Sequence, residues 1–360
     1  MIPAEYYETI YLLVVLFMTM RLIPLYTAQV VCSPRDSHLS KSVAGFYLTV
    51  LIVVFIGFRP ISNVFYDTVA VAGLYDAVSD GDPFAIMRMG DFNFIYTPLL
   101  VSCSMGGIPL EGFLLLISSI YFGCIFVACK KIFPNDTLLV FLAYLGAFST
   151  FSYATNGIKA GSAASLFLVA VAYKDKLKVS IPFLVLSLGF HHAMIVPLVS
   201  FVIAFFIKKR KWFLYGWMAC LIMAALHITV FMTFFAGSTD EHAAQYLQEG
   251  TNVSGFRPDF ILYSAIPIFL GNHLINKYKI KSSYYDFLWS IYTIANSVFL
   301  LCTYGNFINR IAYLSWLLYP IVLLYPFLNI FWSPNQEKYL KYTVWGHLGF
   351  TLFMVFIYYA

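Results

Sequence analysis

The sequence has little charge and lacks the common catalytic signatures, and each shortage excludes a class of protein. Only 11% of its residues are charged, against about 25% in soluble domains, and 61% are hydrophobic. Its mean hydropathy is +0.79, and stretches of about 20 apolar residues recur from end to end. This composition predicts an all-α polytopic membrane protein.

The motifs HExxH, DxD, P-loop and GxSxG are absent, so metal, nucleotide and serine-hydrolase chemistry lacks support. The six cysteines are scattered without a CxxC pair, which predicts that they act as small packing residues. We therefore expect no metal, no cofactor and no nucleic-acid partner.

The charges that are present have an alternating distribution. Sixteen of the 22 Lys and Arg lie in six clusters between apolar runs, and the alternate gaps are acidic. The positive-inside rule assigns the basic clusters to the cytoplasm. This predicts one membrane domain, 1–360, with about twelve transmembrane helices, both termini outside, and long outer loops at about 59–92 and 236–257. Residues 92–106 are predicted to form a short re-entrant or surface helix. The predicted spans are 9–31, 43–58, 108–129, 137–154, 157–173, 179–190, 193–207, 212–235, 258–276, 285–304, 311–328 and 342–359.

The same distribution locates His191 and His192. They lie between the basic clusters 174–178 and 208–211, so the chain between those clusters must cross twice and turn near 189–192. The histidines are thus expected at the outer mouth of two short spans. They are candidate site residues, although a histidine that caps a helix end in a wet interface would look the same.

Five cations remain on the acidic, outer face: Arg59, Arg88, Lys159, Arg257 and Arg310. Cations that depart from the positive-inside pattern suggest an anionic partner, and a guanidinium suits phosphate oxygens. The alternatives are an interfacial anchor or a structural ion pair.

The segment 153–165 adds to the anion hypothesis. Asn156-Gly157 is a turn signal, and "GIKAGSAAS" then opens a helix whose amino-terminal amides, with Lys159, can bind an anion. Its small residues would equally let another helix or a lipid chain approach closely.

Asp67 and Asp91 are candidates to deprotonate a hydroxyl. Four tyrosines expected near the outer side are compatible with sugar binding: Tyr246, Tyr263, Tyr304 and Tyr313.

Several short segments resemble the EpsG family of bacterial membrane proteins, which is related to the Wzy-type O-antigen and capsule polymerases. "GFRP" at 57–60, with "YDT" at 66–68, resembles its early Arg and the Asp-Thr of its first long outer loop. "NGIKAGSAASLFLVAVAYKDK" resembles its small-residue helix, although Lys159 stands where Arg is usual, and "GFHHAM" puts His191 at the family's His position. "EGTNVSGFRPDFILYSAIP" and "NRIAYL" resemble its later outer-loop Arg-Asp and its helix-opening Arg. The resemblance covers about 45–330.

The resemblance implies a GT-C-like glycosyltransferase in the bacterial inner membrane whose active site faces the periplasm. It would transfer a glycan from an undecaprenyl-pyrophosphate donor to a second lipid-linked unit, and it would need no nucleotide because pyrophosphate is the leaving group. A chain-length-regulating copolymerase is a further partner that the sequence leaves open.

On this hypothesis Arg257, Arg310 and Lys159 bind the pyrophosphate, Arg59 holds the second substrate, and His191 or else Asp67 takes the acceptor proton. The expected substrate-binding residues are Asn156, His192, Tyr304, Asn306, Asp259 and Tyr246. The alternatives are a transporter or flippase for a lipid-linked oligosaccharide and a membrane O-acyltransferase.

Overall fold

The computed structural model describes residues 2–26, 38–84, 92–232, 256–306 and 308–359, and their regular structure is helical. The α-helices, numbered here in chain order, are α1 (Tyr7–Leu22), α2 (His38–Gly57), α3 (Tyr66–Ser79), α4 (Tyr96–Met105), α5 (Leu110–Ile132), α6 (Thr137–Leu145), α7 (Thr150–Thr155), α8 (Ile158–Ala172), α9 (Leu177–Phe190), α10 (Ile195–Phe206), α11 (Arg210–Ala225), α12 (Pro258–Lys277), α13 (Ser283–Leu301), α14 (Ile308–Trp316), α15 (Tyr319–Leu328) and α16 (Gln336–Phe353). Each predicted span overlaps one or two of these helices.

Among the described residues, four helical stretches are long and apolar enough to cross a membrane. They are Ala4–Leu25, Leu110–Ile132, Ile308–Leu328 and Gln336–Tyr358. Four apolar helices are shorter: Ser42–Gly57, Ile158–Ala172, Leu177–Phe190 and His192–Phe206. These helices identify a membrane protein, whereas the number of crossings and the GT-C-like arrangement stay predictions.

Two elements differ from the sequence prediction. The expected outer loop 59–92 contains the helix α3, which forms because Thr68, Val71, Ala72, Tyr75 and Val78 recur at helical spacing and are all buried. The expected span 212–235 corresponds to α11, which ends at Ala225, before a turn in which His227 has a left-handed φ of 55°. The predicted short helix within 92–106 is confirmed as α4. Most of the predicted loop 236–257, with Tyr246, lies outside the described residues, as do Arg88 and Asp91.

The chain packs as two units, Met1–Met194 with Phe327–Ala360 (unit 1) and Ile195–Pro326 (unit 2). The prediction of one membrane domain is thereby neither confirmed nor excluded. In unit 1, α8 contacts α5, α7 and α9, and every residue from Gly161 to Ala172 is buried. Ser187 of α9 donates a hydrogen bond to the Ala163 carbonyl over 2.7 Å. A helix that is apolar on all sides is expected at the centre of its bundle, and α8 has that place here.

In unit 2, α13 contacts α10, α11, α12 and α14. Buried polar side chains join three of these helices. The indole of Trp217 donates to Asn296 over 2.7 Å, and the amide of Asn296 donates to Ser315 over 2.9 Å. Because Asn296 is fully buried, both hydrogen bonds are needed to offset its desolvation, and they fix the register of α11, α13 and α14.

The basic clusters gather at helix ends within each unit. In unit 1, Lys131 at the end of α5 lies 5.4 Å from the ring centre of Tyr173, which follows α8. In unit 2, Arg210 at the start of α11 donates to Asn272 near the end of α12 over 2.7 Å. Lysines in the last turn of α5 also complement its dipole. Within each unit, cations from segments far apart in the sequence thus lie at neighbouring helix ends.

We predict that Gly161→Ala destabilises unit 1. A Cβ at Gly161 would lie 2.6 Å from the backbone oxygen of Tyr153, so α7 and α8 would have to separate, at a cost of about 1–3 kcal/mol. Thermal unfolding of the purified protein in detergent measures the change. The control is Gly123→Ala in α5, where no atom lies within 4 Å of the new methyl group. Equal melting temperatures for the two variants would contradict the close contact.

Candidate functional site

Arg59 follows α2 and has the most unusual environment of the predicted site residues. Its side chain is 3% exposed, its Nε donates to Thr68 over 2.9 Å, and its Nη1 donates to the Ile56 carbonyl over 2.8 Å. Its Nη2 is buried and makes no hydrogen bond to any described residue. A buried guanidinium nitrogen without an acceptor is costly, which indicates a place for a ligand oxygen.

The charge of Arg59 is maintained despite its burial. Desolvation lowers the pKa of the guanidinium from its ordinary value to about 10, and Tyr96, Tyr7 and Asp67 oppose that change electrostatically. The group is therefore protonated at neutral pH. A cation held in a poorly solvated place interacts with an anion more strongly than it would in water.

Thr68 and Asn156 connect Arg59 to the break between α7 and α8. The hydroxyl of Thr68 lies 3.3 Å from the Thr155 carbonyl, to which it donates, and the amide of Asn156 donates to the Val64 carbonyl over 3.2 Å. The amide oxygen of Asn156 is buried and accepts no hydrogen bond from the described residues. We call Arg59, Thr68, Tyr96, Asn156 and Lys159 the Arg59 cluster.

Lys159 and Tyr96 complete this cluster. Lys159 is half-buried in the first turn of α8, and its Nζ lies 5.9 Å from the ring centre of Tyr96. Tyr96 also interacts electrostatically with Arg59, so both cations act on the same aromatic residue. The amino terminus of α8 adds its dipole to both charges. The result is a positive region formed by the ends of α2, α7 and α8 and the start of α4.

His191 lies at the carboxyl end of α9, beside Tyr96. The chain turns there as predicted, because His191 has an extended backbone with φ −157° and ψ 120°. The rings of Phe190 and Tyr96 meet edge to face at 6.0 Å, and the Ile95 amide donates to the Gly189 carbonyl over 2.9 Å. His192 is exposed, with its ring centre 5.0 Å from that of His191, and its amide donates to Asn93 over 3.4 Å.

The hydrogen bond that the His191 ring accepts determines which of its two nitrogens carries the proton. The backbone amide of Ala193 donates to Nδ1 of His191 over 3.1 Å. Nδ1 is therefore the acceptor, and the neutral ring carries its proton on Nε2. In this geometry Nε2 of neutral His191 is a donor and cannot accept a second proton.

Asp67 is half-buried in the first turn of α3, next to Thr68. Its carboxylate interacts electrostatically with Arg59. The amino-terminal end of a helix stabilises a carboxylate, so Asp67 is a candidate proton acceptor.

The predicted site residues of unit 2 have different surroundings. Arg257 makes a bidentate ion pair with Asp259, with Nε to Oδ1 at 2.9 Å and Nη2 to Oδ2 at 2.6 Å. Its guanidinium also lies 4.0 Å from the ring centre of Phe260. An anion that binds Arg257 would use its remaining N–H groups or displace Asp259.

Arg310 is exposed in the first turn of α14, and Asn306 is half-buried just before that helix. Tyr304 donates its hydroxyl to the Ala224 carbonyl over 2.8 Å, and its ring centre lies 4.0 Å from that of His227. The hydroxyl of Tyr304 is thus committed to joining α11 to the end of α13, and its proton is not available to a sugar in this structure.

Two members of the Arg59 cluster were missed by sequence reasoning. Thr68 occurs in the quoted "YDT", but nothing in its type suggested that it would bond a guanidinium nine residues earlier. Tyr96 is one of 27 tyrosines and has no distinguishing pattern around it. No three His, Cys, Asp or Glu side chains among the described residues form a candidate metal site.

We predict that Thr68→Val destabilises the protein more than Thr49→Val does. The first change removes the acceptor of the buried Arg59 Nε, which costs about 1–3 kcal/mol, and the hydrogen bond to Thr155. Thr49 is equally buried but only donates to the Gly45 carbonyl of its own helix. Melting temperatures of both variants in detergent give the comparison. Similar decreases in melting temperature for the two variants would mean that the hydrogen bond between Arg59 and Thr68 adds no stability of its own.

These features define a class, an all-helical membrane protein with a buried cationic cluster beside a histidine turn. A family model described as the EpsG family matches residues 43–360, so the chain belongs to that family. Family membership puts it among the polysaccharide polymerase-type membrane proteins. No curated protein and no solved structure matches the chain.

Proposed function

We propose that the protein is a glycosyltransferase that moves a glycan from an undecaprenyl-pyrophosphate donor to a second lipid-linked repeat unit. The observation that carries this proposal is the buried Arg59, whose Nη2 makes no hydrogen bond to the described residues, in a cluster that also contains Lys159 and the start of α8. Phosphate oxygens fit such a place because they accept several charge-assisted hydrogen bonds at once. A lipid-linked pyrophosphate would supply those oxygens.

In the proposed reaction, a hydroxyl oxygen of the acceptor sugar attacks the anomeric carbon of the donor. The bond from that carbon to the phosphate oxygen breaks, and the pyrophosphate leaves with the electron pair. Negative charge grows on the leaving group, where Arg59, Lys159 and the amino terminus of α8 stabilise it. Arg59 is thereby assigned to the leaving group together with Lys159, whereas the sequence hypothesis gave it the second substrate; the reason is that Tyr96 lies near Lys159 and interacts electrostatically with Arg59.

Asp67 takes the proton of the attacking hydroxyl. His191 donates a hydrogen bond from its Nε2–H to a substrate oxygen. This division of roles is supported by the hydrogen bond from the Ala193 amide to Nδ1 of His191, since that bond leaves Nε2 with the proton. The sequence hypothesis preferred His191 as the base and gave Asp67 as the alternative, so this proposal reverses that preference.

The remaining candidates are assigned to substrate binding. Arg257 and Arg310 of unit 2 bind phosphate groups of the lipid-linked substrates, and the sugar ligands are Asn156, His192, Asn306, Asp259 and Tyr246. Tyr304, which the sequence hypothesis placed among them, is left out because its hydroxyl donates to the Ala224 carbonyl. The proposed partners are the donor and acceptor lipids, the bilayer and a chain-length-regulating copolymerase. The proposed location is the bacterial inner membrane, with a GT-C-like arrangement of about twelve spans and the Arg59 cluster facing the periplasm.

We predict that Lys159→Gln lowers polymerisation about a hundredfold, since it removes a charge that stabilises the leaving group. Lys159→Arg keeps the charge and is expected to stay within about tenfold of the wild type. The assay is purified protein with a synthetic undecaprenyl-pyrophosphate repeat unit and no nucleotide, in which the ladder of products is measured.

Lys130→Gln is the matched control, because Lys130 is exposed in the last turn of α5. Full activity of Lys159→Gln would remove Lys159 from the mechanism. A wild-type protein that moves the lipid across vesicles without elongating it would support a flippase and reject the glycosyltransferase.

The roles of His191 and Asp67 are separated by a second set of variants. His191→Gln retains an N–H donor at the position of Nε2, so we predict turnover within about tenfold of the wild type, whereas Asp67→Asn loses at least about a hundredfold. The same ladder assay over a range of pH gives both rates. If His191→Gln is as inactive as His191→Ala while Asp67→Asn is active, the histidine is the base and the proposed division is wrong.

A further inference from the structure

A second polar site lies in unit 2, where α11 begins and α12 ends. An open pocket there is lined by Phe269, Asn272, His273, Asn276 and Lys277. None of these residues belongs to the proposed transfer site. Residues 206–214 and 270–288, at the helix ends beside the pocket, carry seven Lys or Arg and only one acid, Asp286. The local charge therefore favours an anion.

Arg210 fixes the orientation of the amides in this pocket. Its Nη1 donates to Oδ1 of Asn272 over 2.7 Å, and its Nη2 donates to Oδ1 of Asn276 over 3.2 Å. The amide of Asn276 donates to the same Asn272 oxygen over 3.1 Å. Because Oδ1 of Asn272 receives two hydrogen bonds, its NH₂ group is directed away from Arg210. That NH₂ group donates to no described residue, so it is available to a ligand of the pocket.

Arg210 is itself firmly held. Its side chain is 14% exposed, its Nε lies 3.8 Å from the half-exposed Asp286, and its guanidinium lies 5.4 Å from the ring centre of Trp289. The pocket thus combines a fixed cation behind the asparagines, the Asn272 amide and the exposed ammonium of Lys277 at its rim. Two donors, the Asn272 amide and the Lys277 ammonium, backed by the charge of Arg210, suit the oxygens of a phosphodiester or phosphomonoester.

The surfaces next to the pocket are apolar. On α11 the exposed side chains include Trp212, Tyr215 and Ile222, and on α12 they include Leu262, Ile266 and Phe269. Lys209 lies 4.1 Å from the ring centre of Trp212, so cation and aromatic ring are paired at the helix start. Cations beside Trp and Tyr, followed by apolar side chains along the helix, are typical of the membrane interface. Free phosphate would not use these apolar surfaces, whereas the acyl chains of a lipid would.

We propose that this pocket binds the headgroup of an anionic phospholipid, with the acyl chains along the exposed apolar faces of α11 and α12. Basic pockets beside transmembrane helices bind such headgroups, and each Lys or Arg near the membrane surface contributes measurably to the attraction. The lipid would be a structural ligand of unit 2, distinct from the pyrophosphate substrate, and its binding does not depend on glycan transfer.

The test is native mass spectrometry of the full-length protein, released from micelles that contain either phosphatidylglycerol or phosphatidylcholine. We expect the wild type to retain phosphatidylglycerol in preference to phosphatidylcholine. Lys277→Gln should weaken retention of phosphatidylglycerol about fivefold. Asn272→Asp should weaken it further, because it keeps the acceptor for Arg210 but replaces the NH₂ donor with a negative oxygen. Lys130→Gln, which removes an exposed lysine of unit 1, should change nothing.

Melting temperatures of the variants without added lipid establish that they are folded. Binding of inorganic phosphate at constant ionic strength is measured as well, to distinguish a soluble phosphate from a lipid headgroup. Equal retention of the two lipids by the wild type would overturn the proposal. Unchanged phosphatidylglycerol retention in both pocket variants would overturn it as well. Phosphate binding that depends on Lys277 and Asn272, with lipid retention that does not, would assign the pocket to a soluble anion and reject the lipid.

Discussion

The burial of the Arg59 guanidinium is the constraint on which the organisation of unit 1 depends. A buried guanidinium must be supplied with acceptors, and Arg59 obtains them from the end of its own helix and from Thr68 in α3. Thr68 in turn donates to Thr155, at the end of α7. One cation thereby joins three helix ends, and its third nitrogen makes no hydrogen bond to the described residues. The folding interaction and the proposed phosphate site share the same side chain.

Tyr96 extends this arrangement to the histidine turn. Its ring contacts Phe190 immediately before His191, and it lies beside both Lys159 and Arg59. An aromatic side chain can contact a cation through its face while packing against another ring through its edge. Packing around Tyr96 therefore connects the turn at His191, through Phe190, to Lys159.

Hydropathy and charge predicted the helices well, because both depend on the composition of continuous segments. The turn at His191 followed from two flanking basic clusters, and the structure has it at the same residues. The helix α3 was missed because its acidic sequence looks like a solvated loop, although its apolar residues repeat at helical spacing. The hydrogen bonds from Arg59 to Thr68 and from Thr68 to Thr155 could not be predicted, since the second of them joins residues 87 positions apart through side-chain geometry. The assignment of the His191 proton to Nε2 could not be predicted either, because it depends on the hydrogen bond from the backbone amide of Ala193.

The short lengths of α8 and α9 affect the strength of charge interactions in the candidate site. With 15 and 14 residues, these helices are roughly 21–23 Å long, shorter than the hydrocarbon core of about 30 Å. If their basic ends lie at one membrane surface, Lys159 and His191 at the opposite ends lie below the other surface, or the bilayer thins around them. Water is then scarce near the Arg59 cluster, and charge interactions there exceed those at an exposed surface. Short helices would thus strengthen the electrostatic stabilisation of the leaving group in the proposed reaction.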